Sequence, residues 1–326
     1  MLQLIRDKSP YTVIILLIYT LLIKLQALAH PMLPAGDSKH LFYDGVVYIF
    51  SFVFGKSAFA FTFFAVVMLF MQAIYLNTIV VIHKLFNKTT YIPAYLYITF
   101  SSLHPSLSYF SNALLINWCM LGALHILLNF HHTTQPRKMV FNAGFLACMA
   151  ALLHFPAVGY MILLMAALLL LRSFNPAEWV VGFMGYLTPV YFFAGVLFLF
   201  DKLNLVKYWP TIALHFPQKV TAPAFVVTLI IGIVTLMCCG LFALQAYISR
   251  VSVFMRRNWV LIMIYFFISI LICGFTAKPI HNIWLVAMPA SSLIIAHPLY
   301  LEKSKWFSNF AFYFSLLMVL VCQWVL

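Results

Sequence analysis

The chain has 326 residues with a mean hydropathy of +1.04, and 65% of them are hydrophobic while only 8% are charged. A soluble domain carries about a quarter of charged residues, so this composition excludes a soluble globular protein. The net charge of +13 is therefore expected in Lys- and Arg-rich loops that face the cytoplasm and anionic lipid, and not in a nucleic-acid interface.

Apolar runs long enough to cross a hydrocarbon core of about 30 Å recur along the whole chain. They predict an all-α fold, a polytopic transmembrane helical bundle of about eleven spans that forms one integral membrane domain over residues 1–326. The predicted helices cover 11–29, 57–82, 91–104, 109–130, 138–154, 156–172, 178–200, 222–249, 258–275, 280–298 and 306–325. The third is short and lies between Pro93 and Pro105, so it is open whether it is tilted, broken or re-entrant.

Two long polar loops interrupt the apolar pattern. The first covers 30–56 and includes the apolar run from Leu41 to Gly55, which carries Asp44 and predicts an interfacial or partly re-entrant helix. The second covers 201–222 and is basic and aromatic. This second loop either binds a phosphate or a sugar, or lies on the lipid headgroups.

The distribution of Lys and Arg predicts the orientation of the helices. With the N-terminus in the cytoplasm, the inner loops hold about twice as many of these residues as the outer loops, and the C-terminus is outside. Both long polar loops then lie on the outer side. Lys24 falls within the first predicted helix, near enough to its outer end for its amino group to reach the interface, and we interpret it as a snorkelling side chain.

The first loop holds Asp37 and Asp44, two of the six acidic residues of the chain. Asp37 follows Pro34-Ala35-Gly36, a turn signal that would hold it at the membrane surface. Asp44 lies among aromatic and valine residues that would partly remove it from water, a setting that suits proton transfer. Both are candidate catalytic residues, although either could simply face water or pair with Lys39.

The sequence predicts neither a metal site nor a cofactor. Six histidines fall on the predicted outer side, but none has the HxH or HExxH spacing of a metal site. All six cysteines lie inside apolar runs, where they are interpreted as small core residues.

One stretch carries a family resemblance. From Met139 to Phe192 the chain has FNAGF, a small-residue helix ending in Phe-Pro, LLRSFNPAEW, and then a span that contains Gly and Pro. This pattern resembles a bacterial family of multi-pass inner-membrane proteins of unknown function. The resemblance implies the bacterial inner (cytoplasmic) membrane and proximity to envelope-polysaccharide pathways, and it lends no catalytic residues.

At the level of architecture the chain also resembles membrane glycosyltransferases of the GT-C class, which have an acidic first outer loop, a surface-lying helix and about eleven or more spans. The likeness implies that Asp37 or Asp44 acts as base on the acceptor and that the donor is a sugar on a polyprenyl phosphate. It implies substrate binding by a set of outer cationic and imidazole side chains: Lys39, His40, His104, Lys207, Lys219, Lys278 and His281.

Three hypotheses of function follow. The first is a glycosyltransferase that uses a polyprenyl-phosphate sugar, or a related envelope enzyme, acting at the outer face with membrane lipid as partner. The second is a non-catalytic membrane subunit or scaffold of a cell-envelope assembly or secretion machine, which would bind other membrane proteins. The third is a transporter of lipids or small molecules, which would require paired broken helices.

Overall fold

A computed structural model describes residue 6 and residues 10–34, 41–130, 135–172, 174–201, 224–275, 281–300 and 305–325. Within these ranges all regular structure is helical and there is no strand, as the composition predicts. The α-helices are α1 (Pro10–Ile23), α2 (Leu25–Ala29), α3 (Leu41–Phe54), α4 (Ala58–Ile82), α5 (Ile92–Phe100), α6 (Asn112–Leu128), α7 (Pro136–Leu153), α8 (Tyr160–Leu171), α9 (Pro176–Leu199), α10 (Ala224–Ile248), α11 (Val253–Gly274), α12 (Met288–Tyr300) and α13 (Lys305–Val325).

Each predicted helix coincides with one of these helices or with a pair of shorter ones. Three 3₁₀ helices, Pro105–Ser108, Phe155–Gly159 and His281–Ala287, extend or join the α-helices. The first predicted helix is divided at Lys24, and the third ends early, at Phe100. The helix predicted at Leu41–Gly55 is present as α3.

Five segments in the described ranges are long and apolar enough to cross a membrane, at 58–82, 176–199, 231–248, 253–274 and 282–300. These segments make the chain a candidate membrane protein by length and composition. The eleven crossings and their orientation remain predictions.

Long-range hydrogen bonds gather several chain segments at one end of the bundle. Arg6 donates from Nη2 to the carbonyl oxygen of Leu299 at 2.8 Å. The next residue, Tyr300, accepts from the backbone N–H of Lys88 at 2.9 Å. We call this the Lys88 end, and the orientation predicted from Lys and Arg makes it cytoplasmic.

Other hydrogen bonds gather segments at the opposite end. Tyr109 donates from its hydroxyl to the carbonyl oxygen of His30 at 3.0 Å, and Asn117 donates to the carbonyl oxygen of Leu285 at 2.8 Å. We call this the His30 end.

The closest helix packing is between α7 and α9, and glycine makes it possible. A Cβ atom added to Gly144 would lie 2.6 Å from the carbonyl oxygen of Gly182, and one added to Gly185 would overlap the carbonyl oxygen of Phe141. Small residues let the two backbones approach, as is common between membrane helices. The glycines of the family-like stretch therefore have a packing role.

The turn between α8 and α9 is held by charge and by a helix cap. Asn175 accepts at Oδ1 from the backbone N–H of Ala177 at 3.2 Å, which caps α9. The guanidinium of Arg172 lies 2.7 Å from the carboxylate of Glu178 and donates to the carbonyl oxygen of Phe130 at 3.1 Å. Glu178, in the first turn of α9, therefore has a structural role.

Candidate functional site

Asp44 lies in the first turn of α3 and is half-buried. Of the two proposed catalytic acids, only Asp44 lies within the described residues. The other proposed acid and most of the proposed binding residues lie outside the described residues: Asp37, Lys39, His40, Lys207, Lys219 and Lys278. His281 begins the 3₁₀ helix His281–Ala287, and only its backbone is among the described parts of the chain.

One face of α3 is fixed by aromatic packing. The ring of Phe50 lies 5.7 Å from the ring of Phe110, and the ring of Phe54 lies 5.8 Å from that of Phe61 on α4. The buried Tyr43 donates from its hydroxyl to the carbonyl oxygen of Phe110 at 3.4 Å. Such aromatic contacts add to the apolar area that the helix buries, so α3 is anchored against the body of the bundle.

The other face of α3 lines a groove of about 640 Å³ against α7 and α9. The lining is almost wholly apolar and consists of Phe42, Gly45, Val46, Ile49, Phe145, Met149, Leu152, Pro189, Phe192, Phe193 and Val196. Ile49 and Phe192 are largely exposed, so the groove opens at the apolar side of the bundle. A Cβ atom added to Gly45 would meet nothing within 4 Å, which shows that the groove is empty space at this residue.

Asp44 is adjacent to this groove without lining it. It lies between Phe42 and Gly45 in sequence, both of which line the groove. The volume is within the range of about 300–1,000 Å³ typical of ligand sites. The arrangement can therefore accept an apolar chain beside a half-buried carboxylate.

His104 has a structural position. Its Nδ1 accepts from the backbone N–H of Ser106 at 3.2 Å and lies 2.7 Å from the Ser106 hydroxyl, which caps the 3₁₀ helix Pro105–Ser108. The proposed contact of His104 with substrate remains a prediction, and it would have to use the other ring nitrogen.

The interpretation of Lys24 as a snorkelling side chain is wrong. Lys24 is fully buried at the break between α1 and α2. Its Nζ donates to the carbonyl oxygen of Ser101 at 2.6 Å and to the hydroxyl of Ser108 at 2.9 Å. The segment between α5 and α6 therefore covers the amino group and supplies neutral oxygen atoms in place of water.

Further buried polar side chains join α4, α5 and α6. Asn117 donates to the hydroxyl of Tyr97 at 3.2 Å, and that hydroxyl donates to Gln72 Oε1 at 2.6 Å. Gln72 in turn donates to the carbonyl oxygen of Leu114 at 2.7 Å. Asn117, Tyr97 and Gln72 thus form a chain of hydrogen bonds between helices.

The sequence did contain a signal for the contacts of Lys24 with Ser101 and Ser108. Five serines occur between residues 101 and 111, at Ser101, Ser102, Ser106, Ser108 and Ser111, inside an otherwise apolar chain. A lysine in an apolar run and a serine-rich turn are each compatible with exposure, so only packing shows that they meet.

In the part of the chain that the structure describes, no three His, Cys, Asp or Glu side chains form a group that could hold a metal ion.

Comparison with known proteins gives one family. A family model described as "Family of unknown function (DUF6427)" matches residues 39–325, which is most of the chain. No curated protein and no solved structure matches.

Proposed function

The chain belongs to the DUF6427 family, and we propose that it is an integral membrane enzyme that acts on a lipid-linked substrate beside Asp44. The observation that carries the proposal is the apolar groove between α3, α7 and α9, whose lining residues Phe42 and Gly45 flank the half-buried acid in sequence. In the form suggested by the GT-C likeness, the substrate is a polyprenyl-phosphate sugar and the reaction occurs at the outer face of a bacterial inner membrane.

The groove suits the hydrocarbon part of such a substrate. Its walls are aromatic and aliphatic, and it opens where Ile49 and Phe192 are exposed, so a lipid enters sideways from the bilayer without crossing water. Because the chain enters from hydrocarbon, the hydrophobic effect adds little to its binding, and van der Waals packing against these walls supplies the contacts.

The polar end of the substrate would lie near the start of α3. There the Asp44 carboxylate accepts the proton of an acceptor hydroxyl while the acceptor oxygen bonds to the sugar anomeric carbon. The bond between that carbon and the phosphate oxygen breaks, and polyprenyl phosphate leaves with the electron pair. A half-buried carboxylate is suited to this general-base role because it is positioned by the helix and only partly solvated.

The first experiment tests the groove. Purified protein is incubated with polyprenyl phosphate and examined by native mass spectrometry, with Gly45→Trp to fill the groove. Gly274→Trp is the matched control, because a Cβ atom added to Gly274 also meets nothing within 4 Å and Gly274 does not line the groove. We expect bound lipid in the wild type and in Gly274→Trp, and its loss in Gly45→Trp; equal binding by all three proteins would refute the groove assignment.

The second experiment tests the chemistry. Proteoliposomes receive a polyprenyl-phosphate hexose with a tritiated sugar, together with acceptors extracted from the host membrane, and transfer of the label is measured. We expect transfer by the wild type and by Asp201→Asn, and no transfer by Asp44→Asn at equal protein level. Transfer by Asp44→Asn at the wild-type rate, or none by the wild type, would contradict the enzymatic proposal.

A second candidate function is transport of lipids, and the position of Lys24 favours it. Ionisable side chains inside membrane helices often mark transport or proton pathways. Lys24 lies at a helix break and donates a hydrogen bond to the carbonyl oxygen of Ser101. The test is exposure of an NBD-labelled phospholipid to dithionite in proteoliposomes. Transport predicts quenching beyond that of protein-free vesicles and its loss in Lys24→Met, whereas quenching equal to that of protein-free vesicles would exclude it.

A further inference from the structure

A second pocket lies at the Lys88 end, far from Asp44. It has a volume of about 560 Å³ and is formed where α4, α6 and the turn between α10 and α11 meet. Its lining includes Ile82, Lys84, Asn87, Asn129, Tyr247 and Arg250. Phe61, near the start of α4, contacts α3 through Phe54, whereas the pocket begins at Ile82 at the end of the same helix. At about 1.5 Å per residue this places the two sites about 30 Å apart, roughly the thickness of a hydrocarbon core.

The charge of this pocket is positive. Lys84 and Arg250 both line it, both side chains are exposed, and neither has a described hydrogen bond or ion pair through its side chain. Of the acids within the described ranges, Asp44 lies in α3, Glu178 pairs with Arg172, and Asp201 follows α9, so none of these three lines the pocket. Two cations without a described carboxylate partner can attract an anion.

Lys84 lies at the turn that ends α4. The N–H of Lys84 donates to Val81 at 3.2 Å and the N–H of Leu85 donates to Val80 at 3.1 Å, which is the Schellman arrangement at the end of α4. In that arrangement the position after the C-cap residue is usually glycine. Here Lys84 occupies this position, with a φ of +50°. Lys84 therefore holds this left-handed conformation in the wall of the pocket, at a position where glycine is the usual residue.

The wall of the pocket that contains Tyr247, near the end of α10, is held in place by side-chain contacts. Tyr247 donates from its hydroxyl to Asn87 Oδ1 at 3.3 Å, which joins the end of α10 to the loop after α4. Behind it, the fully buried ring of His297 lies 4.5 Å from the ring of Tyr247. The pocket therefore has a fixed aromatic wall with amide groups at Asn87 and Asn129 beside the cations.

We propose that this pocket binds a phosphate group, with Lys84 and Arg250 as its cationic ligands and Asn87 and Asn129 as hydrogen-bond donors. Arginine and lysine are the side chains that proteins use most for phosphate, and the volume leaves room for the organic part of a phosphate ester. The phosphate is carried either by a lipid headgroup or by a water-soluble phosphate ester. This site is separate from the one proposed beside Asp44 and does not depend on it.

The test measures binding of two probes to the full-length protein. In one arm, nanodiscs of phosphatidylcholine contain increasing phosphatidic acid, and retained lipid is counted by native mass spectrometry. In the other arm, glycerol 3-phosphate is titrated into the protein in detergent by isothermal calorimetry. The first arm reports a lipid source for the phosphate, and the second a soluble source.

The variant of choice is Lys84→Gly with Arg250→Gln. Glycine suits the backbone at residue 84, so loss of binding cannot be assigned to unfolding at this turn. The control is Arg257→Gln, which removes an exposed cation of α11 that does not line the pocket. We expect at least one probe to bind, the double variant to bind it at least about tenfold more weakly, and the control to bind as the wild type does. Binding of neither probe, or equal weakening by the control, would overturn the proposal.

Discussion

Lys24 and Ser101 are 77 residues apart in sequence, yet the Lys24 Nζ donates to the Ser101 carbonyl oxygen at 2.6 Å in the interior of the bundle. The other described partners of Nζ are the hydroxyls of Ser108, at 2.9 Å, and of Ser101 itself, at 3.4 Å. A fully buried amino group thus rests on neutral oxygen atoms alone among the residues that the structure describes.

Lys24→Met is expected to stabilise the protein. Methionine fills a similar volume and removes an amino group whose burial costs free energy that the hydrogen bonds to neutral oxygen atoms offset only in part. The measurement is thermal unfolding in detergent, followed by fluorescence-detected size-exclusion chromatography. A lower melting temperature for Lys24→Met would show that the Lys24 hydrogen bonds are worth more than the desolvation of the amino group.

Gly185→Ala is expected to destabilise the protein by about 1–3 kcal/mol, because overpacking a tight interface forces backbone movement. The added methyl group would meet the backbone of Phe141 on α7. Gly195→Ala in the same helix is the control, since a Cβ atom there meets nothing within 4 Å. Equal melting temperatures for the two variants would contradict the close packing of α7 on α9.

Arg172→Met is expected to destabilise the protein more than the double variant Arg172→Met with Glu178→Gln. The single change leaves the Glu178 carboxylate buried without its cation, and breaking a buried pair costs about 3–5 kcal/mol. Since the Arg172 side chain is 24% exposed and the Glu178 side chain 4%, the loss is expected at the lower end of that range. Urea unfolding of the four members of the cycle gives the coupling energy, and a coupling of zero would remove the structural role of the pair.

His104→Asn is expected to preserve stability, whereas His104→Ala should lose about 1 kcal/mol, because asparagine can accept the same capping hydrogen bond and alanine cannot. The relevant contacts are those of His104 Nδ1 with Ser106, at 2.7 and 3.2 Å. Both variants are compared by thermal unfolding. Equal stability of the two would show that the cap contributes little and that His104 serves another purpose.

The stretch from Met139 to Phe192 could be related to a family from its sequence, but the structural roles of its residues became clear only from the fold. The sequence pattern around Gly144 and LLRSFNPAEW indicates a family without saying what these residues do. Their roles depend on distance: a Cβ atom added to Gly144 would lie 2.6 Å from the carbonyl oxygen of Gly182, and the Arg172 guanidinium lies 2.7 Å from the Glu178 carboxylate. The first is a contact between helices that no local pattern encodes.

The candidate sites were predictable to different degrees. Asp44 could be selected because an acid in an apolar run is unusual, and the helix that carries it could be placed within a residue or two. The groove beside it could not be predicted, because residues of α3, α7 and α9 that are up to 154 positions apart form it together. The proposed phosphate pocket has the same origin, since its lining residues Lys84 and Arg250 are 166 positions apart in sequence.

The sequence by itself indicated a membrane protein and the positions of its helices. Both follow from local chemistry, because the length of an apolar run and the prolines that end it act over a few residues. Only the tertiary structure decided where the few polar groups go. Lys24 was expected at the interface and lies in the interior, since its surroundings are set by a turn that begins 77 residues later.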